Sequence, residues 1–220
     1  MSSKGTQFRL VLLHPRYWLI WFAFAFWWLV TLLPFPLLLL IGKGIGLMFH
    51  AIPSRRKVIA RRNIEICFPE LSEIDRGALL RANFISTGIA VMEVGISWWW
   101  SKKRFSKLMQ FEGLEHLEAV KDRGVMILGI HYTSLEVGAA ALSSKWQMDG
   151  MYRAHGNAVY DFLQARGRLN QSIGENSVFE RRDVRGTMKA LKNGHSLWYG
   201  PDQDYGLGQG LFAPFFGVQA

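Results

Sequence analysis

The longest apolar stretch of the chain runs from Tyr17 to Gly42 and contains no charged residue. A helix of about 20 apolar residues can span a bilayer, and tryptophans such as those in this stretch favour the membrane boundary. We therefore predict a transmembrane or membrane-embedded anchor at residues 17–42, preceded by a short N-terminal segment at residues 1–16. Pro34 and Pro36 would break or kink a helix, so a short span followed by an interfacial segment is an alternative, as is a buried hairpin.

Basic residues flank this stretch unequally. Three precede it, and six follow it within about 20 residues, a bias that places the following part of the chain in the cytoplasm. The single cysteine, Cys67, agrees with a reducing compartment. We expect residues 43–220 to form a cytoplasmic body. The flanking basic residues are Lys4, Arg9 and Arg16 before the stretch, and Lys43, Arg55, Arg56, Lys57, Arg61 and Arg62 after it.

The second half of the chain alternates between two hydrophobic patterns. Short apolar runs typical of buried strands occur in "RGVMILGI", "MDGMYR" and "HSLWYGPD". Longer segments typical of helices occur in "SLEVGAAALSS", "VYDFLQARGRL" and "DVRGTMKALKNG". Alternation of strands and helices predicts an α/β fold with a mostly parallel sheet and flanking helices.

Two segments before the sheet allow more than one interpretation. Residues 50–84 predict two helices split near Pro69, with Ser72 as the N-cap of the second. The first of these helices has a basic face, which could contact phosphate head groups or simply face solvent. The aromatic run at residues 98–100 is followed by basic residues, which suits either an interfacial or substrate-facing surface or the core.

Charge narrows the classes of partner. The net charge of +9 favours an anionic partner, which could be nucleic acid, a membrane surface, or an acidic protein or substrate. The spacing of Cys and His does not match a zinc site, so no metal is expected. The glycine-rich "GLGQG" at residues 206–210 fits neither common nucleotide-binding pattern and predicts a turn.

The stretch "GIHYTSLE" places His131 at the end of a predicted strand and Glu136 in the first turn of a predicted helix. With 6 His and 17 acids in 220 residues, chance alone yields about 0.5 such pairs, so the spacing is weak by itself. The end of a strand is where α/β sheets bind ligands, and a histidine–carboxylate dyad there could remove a proton from an alcohol. The alternative is a capping box, with Thr133 as the N-cap and Glu136 reaching back to it.

A set of longer motifs resembles one known family. They are "LLHPRYW", "RRNIEICFPELSE", "GIHYTSLE", "YRAHGN", "DFLQARGRL", "ALKNGHSLWYGPDQDYG" and "FAPFFG", in that order along nearly the whole chain. Together they resemble the late acyltransferases of lipid A biosynthesis, of the lauroyl or palmitoleoyl type. The resemblance implies transfer of a fatty acyl group from acyl carrier protein to a hydroxyacyl chain of the Kdo-bearing lipid A precursor, in lipopolysaccharide biosynthesis.

The resemblance also implies roles for individual residues. His131 would be the general base and Glu136 its partner, while Arg168 and Asp202 match further substrate-binding positions of the family. The implied partners are acyl carrier protein, the phosphorylated lipid A precursor and the bacterial inner membrane, with the catalytic body on its cytoplasmic side. Neither a cofactor nor nucleic acid is implied.

The extent of the fold, the identity of the acceptor and the length of the acyl chain are less closely defined by the sequence. Family members continue beyond the position of Ala220, so part of the sheet and of the acyl pocket is expected to be missing. A glycerophosphate-type acyltransferase with the same dyad is an alternative, as is a non-catalytic, membrane-bound lipid-binding protein. The length of the transferred acyl chain depends on the depth of a pocket, which the motifs do not give.

Overall fold

The computed structural model describes residues 7–121, 123–174, 176–180, 182–202 and 212–219. In these ranges the chain forms α-helices and β-strands, together with two 3-10 turns before the first helix. The helices are α1 (Trp18–Thr31), α2 (Phe35–Ala51), α3 (Arg55–Cys67), α4 (Glu73–Trp99), α5 (Lys102–Ser106), α6 (Leu114–Glu118), α7 (Leu135–Ser143), α8 (Ala158–Leu169) and α9 (Val184–Lys192). The strands are β1 (Val125–Leu128), β2 (Met148–Tyr152), β3 (Val178–Glu180), β4 (Ser196–Tyr199), β5 (Pro214–Phe215) and β6 (Val218–Gln219).

The chain divides into two compact units. The first unit combines residues 1–33 with residues 93–201 and therefore contains α1, the end of α4, and everything from α5 to β4. The second unit combines residues 34–92 with residues 202–220. Helix α4 begins in the second unit and ends in the first.

A parallel sheet forms the centre of the first unit. Its strand order is β1-β4-β2-β3, and every pairing between neighbours is parallel. Because the strands are parallel, the carboxyl ends of all four lie at the same edge of the sheet. The prediction of an α/β fold with a parallel sheet and flanking helices is confirmed, and each of the three predicted strands and three predicted helices is present within a few residues of its expected position.

The predicted anchor at residues 17–42 is not one continuous helix. Helix α1 ends at Thr31 and α2 begins at Phe35, with Pro34 as the N-cap residue of α2. Proline lacks the N–H that a continuous helix would need at this position, so it can begin a helix but cannot lie inside one without breaking a bond. The two prolines therefore separate the apolar stretch into two helices, and its role as an anchor stays a prediction.

One side of α1 packs inside the first unit. Phe24 lies with its ring 5.7 Å from that of Tyr160 on α8, and Trp21 packs against the cluster of Leu12 and Val159. The other side exposes large apolar residues to the surroundings. The apolar composition of α1 thus has two causes, because part of it forms protein core and part of it does not. The exposed residues are Trp18, Leu19, Phe22, Phe26 and Leu29.

In the second unit, α2 and α4 approach each other through glycines. A Cβ added to Gly42 would lie 2.7 Å from the Ile89 Cα, and one added to Gly46 or Gly88 would overlap backbone of the opposite helix. Small residues at such positions allow two helix backbones to make close contact, as they do in helix pairs within membranes. By length and composition, α4 is the one helix among the described residues that could cross a membrane on its own, and α2 with α3 forms a candidate broken span bent by 92°.

The tryptophans at the end of α4 belong to the core. Trp98 and Trp100 are buried, and the Trp100 indole N–H donates to the Thr31 carbonyl at 2.6 Å. Arg104 stacks over the Trp100 ring, with its guanidinium carbon 3.6 Å from the ring centroid. For these two tryptophans the core alternative, rather than an exposed interfacial surface, is therefore correct.

Candidate active site

His131 lies just beyond the carboxyl end of β1 and is exposed. The sheet continues one step past the strand, because the Gly129 N–H donates to the Tyr199 carbonyl at 2.9 Å. Gly200, which follows β4, faces the imidazole so closely that a Cβ there would lie 2.6 Å from the His131 Cε1. The Trp198 ring stands edge-on to the imidazole, with ring centroids 5.5 Å apart. The site is therefore formed where two parallel strands end, as predicted for α/β sheets.

Glu136 lies in the first turn of α7, but it does not cap that helix. The N-cap residue is Ser134, and within the described residues no side chain accepts a capping hydrogen bond there. The capping-box interpretation, with Thr133 as the N-cap, is wrong. The carboxylate of Glu136 instead binds groups from distant parts of the chain, because charged and indole donors on other elements reach it.

Arg168, near the end of α8, is the main partner of Glu136. Its Nε lies 2.9 Å from Oε1 and 3.2 Å from Oε2, and its Nη2 also donates to Oε1. Only 18% of the Glu136 side chain and 27% of the Arg168 side chain are exposed. This geometry orients the guanidinium firmly, because a carboxylate that accepts from two guanidinium nitrogens fixes the plane of the group as well as its position.

Trp98 supplies a further donor to the same carboxylate. Its indole Nε1 lies 3.2 Å from the Glu136 Oε2. The ring can approach because residue 167 on α8 is glycine, and a Cβ there would lie 2.6 Å from the Trp98 Cδ2. Gly167 and Arg168 are adjacent, so one turn of α8 both admits the indole and presents the guanidinium.

Tyr160 on α8 and His155, which precedes that helix, extend the cluster. The Tyr160 ring lies 6.2 Å from that of Trp98 and 4.3 Å from that of His155. Burial raises the pKa of the Tyr160 hydroxyl, the charge of Glu136 raises it further, and the charge of Arg168 opposes the increase. The carboxylate and the guanidinium are therefore both close enough to act on Tyr160.

The sequence prediction gave no site role to Tyr160 or His155, and it included Trp98 only within an aromatic run that suited a substrate-facing surface or the core. A signal for part of this cluster exists, because Tyr160 and Gly167 are seven residues apart and so lie on one face of a helix. No local signal exists for the contact of Trp98 with Glu136, since 38 residues separate the two positions.

The predicted site residues thus differ in where the structure places them. Glu136 and Arg168 are in direct contact. His131 lies in the same unit, beyond the carboxyl end of β1. The partners that the structure gives for the Glu136 carboxylate are Arg168 and Trp98. Asp202 follows β4 by three residues and belongs to the second unit, so its role in the site stays a prediction.

Several other predicted features can be placed only in part. The glycine-rich segment at residues 206–210, for which a turn was predicted, lies outside the described residues. Within the described part of the chain, no group of three or more His, Cys, Asp or Glu side chains could hold a metal ion. The chemistry that the described residues offer is therefore that of an exposed imidazole and of a guanidinium oriented by a carboxylate.

Such groups suit an enzyme of the acid–base class. An imidazole can take a proton from an alcohol near neutral pH, and an oriented guanidinium can bind a phosphate or stabilise a developing oxyanion.

Comparison with known proteins identifies the family. Residues 5–220 match the family model described as bacterial lipid A biosynthesis acyltransferase.

Individual relatives agree with this match. A lipid A biosynthesis acyltransferase of Haemophilus influenzae is 39% identical over 219 residues, which cover 99% of this chain and 70% of the relative. The lipid A biosynthesis lauroyltransferase of Escherichia coli is 40% identical over 215 residues, covering 97% of this chain and 69% of the relative. The palmitoleoyltransferase of the same pathway in Escherichia coli is 41% identical over 209 residues, covering 94% and 67%.

The chain belongs to the bacterial lipid A biosynthesis acyltransferases. The resemblance predicted from the sequence motifs is confirmed, and it extends to relatives of both the lauroyl and the palmitoleoyl type.

Proposed function

We propose that the protein transfers a fatty acyl group from acyl carrier protein to a hydroxyl of an acyl chain on the Kdo-bearing lipid A precursor. The observation that carries the proposal is the exposed His131 imidazole at the carboxyl edge of the sheet, in a unit that also contains an oriented arginine. Membership of the family supports the class of reaction, and the net charge of +9 suits an acidic carrier protein and a phosphorylated acceptor.

In the proposed reaction, His131 acts as the general base. The imidazole takes the proton of the acceptor hydroxyl while the hydroxyl oxygen attacks the thioester carbon, which forms a C–O bond and places negative charge on the carbonyl oxygen. Collapse of this intermediate breaks the C–S bond, and the carrier thiolate leaves and takes up the proton from the imidazolium. The imidazole returns to its neutral form, and no covalent intermediate on the enzyme is required.

Arg168 is proposed to act on substrate charge. Its Nε and Nη2 face Glu136, so its Nη1 is the nitrogen left to face a phosphate of the acceptor or the developing oxyanion. Glu136 is proposed as the acidic partner of the site, which stabilises positive charge there and fixes the guanidinium. Asp202 stays a proposed binding residue on the strength of the family resemblance alone.

The location of the reaction is part of the same proposal. A lipid acceptor requires access to a bilayer, and the apolar helices offer several candidates for contact with it. The excess of basic residues after the apolar stretch favours the cytoplasmic side of the bacterial inner membrane.

Substitution of His131 tests the function directly. We expect His131→Ala to lower turnover by about 10²- to 10⁴-fold, because a general base contributes about that much. The measurement is transfer of labelled acyl groups from acyl carrier protein to the precursor by the full chain in detergent micelles. His116→Ala is the matched control, since His116 is an exposed histidine on α6.

Two outcomes would contradict the proposal. Turnover of His131→Ala close to that of the parent would remove His131 from the reaction. Transfer to glycerol phosphate, without transfer to the precursor, would favour the glycerophosphate-type alternative.

A further inference from the structure

Helix α3 contributes no buried residue to the core of the protein. None of its thirteen residues, all of which the structure describes, is buried. Isolated helices of this length are marginal in water, because most helical stability in proteins comes from packing of an apolar face. The Ser54 hydroxyl caps the first turn by accepting from the Lys57 N–H at 3.2 Å, but one cap does not replace a packed face. We therefore expect another surface to pack against this helix when the protein is active.

The exposed residues of α3 show which kind of surface would fit. Val58 and Ile59 are 68% and 48% exposed, and Ile66 is 36% exposed. Around them the helix has five basic residues and one acid, Glu65, which pairs with Arg62 at 3.2 Å. Exposed apolar side chains surrounded by an excess of cations are typical of helices that lie in the interface of an anionic bilayer. The basic residues are Arg55, Arg56, Lys57, Arg61 and Arg62.

A groove beside α3 adds a second observation. It has a volume of about 370 Å³ and lies between α3 and one residue of α4. The guanidinium of Arg56 lines the groove together with isoleucine side chains and asparagine amides. The groove could therefore bind a phosphate group and the first carbons of a lipid chain. Neighbouring residues at the end of α2, Met48 and Ile52, also expose apolar side chains in the same unit. The lining residues are Arg56, Ile59, Ala60, Asn63, Ile64 and Asn83.

We propose that α3 is an interfacial docking helix that binds the anionic head groups of a phospholipid bilayer, with Val58 and Ile59 inserted among the acyl chains. An acidic protein surface would satisfy the arginines, but it would leave these two exposed apolar side chains without a partner of matching chemistry. The proposal does not rest on the acyl-transfer chemistry, because α3 contains none of the residues assigned to it.

The charge contribution gives the expected size of the effect. Each Lys or Arg close to an anionic membrane surface strengthens binding about fivefold. The variant Arg55→Gln/Arg56→Gln/Arg61→Gln should therefore reduce the preference for anionic over neutral vesicles by about a hundredfold. Arg62 is left in place because Glu65 already pairs with it. The matched control removes the same charge from α9, which has a buried face, as Arg185→Gln/Lys189→Gln/Lys192→Gln.

Other apolar helices could hold the chain on vesicles, so the test also needs a probe on α3 itself. A nitroxide attached at Val58→Cys, in a Cys67→Ser background, reports contact with lipid through collisions with oxygen rather than with a water-soluble nickel chelate. Val184→Cys on α9 is the control, since Val184 is 60% exposed and, like Val58, is adjacent to a basic residue. The full chain is measured with phosphatidylcholine vesicles, with and without phosphatidylglycerol.

The proposal expects lipid contact at position 58 that requires phosphatidylglycerol, weakens at high salt, and is lost in the triple variant, while position 184 stays in water. It is overturned if position 58 stays in water with both lipids, or if its lipid contact persists without phosphatidylglycerol and in the triple variant. It is also overturned if acyl carrier protein, but not anionic lipid, shields position 58. Turnover in detergent micelles should be the same for parent and triple variant, which separates this proposal from the function of His131.

Discussion

Two carboxylates in the first unit have similar chemistry but lie at opposite ends of the parallel sheet. Asp149, at the amino end of β2, is 1% exposed, and it accepts from the Ser177 N–H at 2.7 Å and from the His195 ring at 2.9 Å. Glu136 lies beyond the carboxyl end of β1, is partly exposed, and binds Arg168 and Trp98. Asp149 is thus hydrogen-bonded to a histidine, whereas the contacts given for Glu136 are with an arginine and a tryptophan.

The comparison shows that a carboxylate–histidine contact does not by itself mark an active site. His195 immediately precedes β4 and Ser177 immediately precedes β3, so Asp149 connects the starts of three strands. That arrangement explains its burial, because a buried carboxylate requires hydrogen-bond donors. The exposed His131 and the partly exposed Glu136–Arg168 pair lie at the carboxyl end of the sheet, and this location is the reason that we propose a catalytic role for them rather than for Asp149 and His195.

The largest difference between the two regions should appear with Glu136→Gln. Glutamine keeps the size of the side chain but removes the charge that is proposed to stabilise the His131 imidazolium and that orients Arg168, so we expect turnover to fall by about 10²- to 10⁴-fold. The pKa of the Tyr160 hydroxyl should fall at the same time, since the Glu136 charge contributes to its increase. Steady-state kinetics and a titration of labelled tyrosine measure the two effects. Normal turnover in this variant would make Glu136 a structural residue like Asp149.

A smaller loss is expected for Arg168→Lys. Lysine keeps the charge but cannot donate from two planar nitrogens to Glu136 and also face the substrate. We expect turnover to fall about ten- to hundredfold, which corresponds to one lost hydrogen bond to a charged group. The matched control is Arg166→Lys, because Arg166 lies on the same helix and its guanidinium instead faces the Phe162 ring at 5.8 Å. Equal turnover of the two variants would contradict a role for the guanidinium plane.

Trp98→Phe tests the indole donor alone. Phenylalanine keeps a buried aromatic ring but loses the N–H that reaches Glu136, so we expect kcat to fall about two- to tenfold with little change in KM. Trp100→Phe is the control, because Trp100 is equally buried and donates instead to the Thr31 carbonyl. Similar stability losses but different kcat values would locate the effect at the site. A fall in kcat that is the same for both would indicate a general packing effect.

The sequence predicted the elements that have their own hydrophobic pattern. Strand β1 was found because it is a short continuous apolar run, and helix α8 because its longer segment has a pattern typical of helices. Strand β3 was missed because it has only three residues and is stabilised by pairing with β2 rather than by a pattern of its own. The positions at the ends of strands were predictable in the same way, since a parallel sheet places them at one edge.

The contacts of Glu136 were not predictable from local sequence. The spacing of "TSLE" indicated a cap, but the carboxylate binds an arginine 32 residues away along the chain. A charged donor competes better for a carboxylate than a backbone N–H does, so tertiary structure overrides the local motif. The apolar stretch after Tyr17 was similarly ambiguous, because packing of α1 on α8 and contact with lipid require the same kinds of residue.

The smallest effect on turnover is expected at the other end of the sheet. Asp149→Ala leaves the partly buried Ser177 N–H without its acceptor, which should cost about 1–3 kcal/mol of stability. For a chain of this size that cost corresponds to a fall in Tm of roughly 2–12 °C. Asp149→Asn is the companion variant, and its cost should be smaller because the amide oxygen can still accept from Ser177. Turnover per folded molecule should be unchanged in both variants, since Asp149 and His195 join strands at the edge opposite His131. A loss of turnover at temperatures where both variants are fully folded would contradict this assignment and would place the Asp149–His195 pair in the reaction.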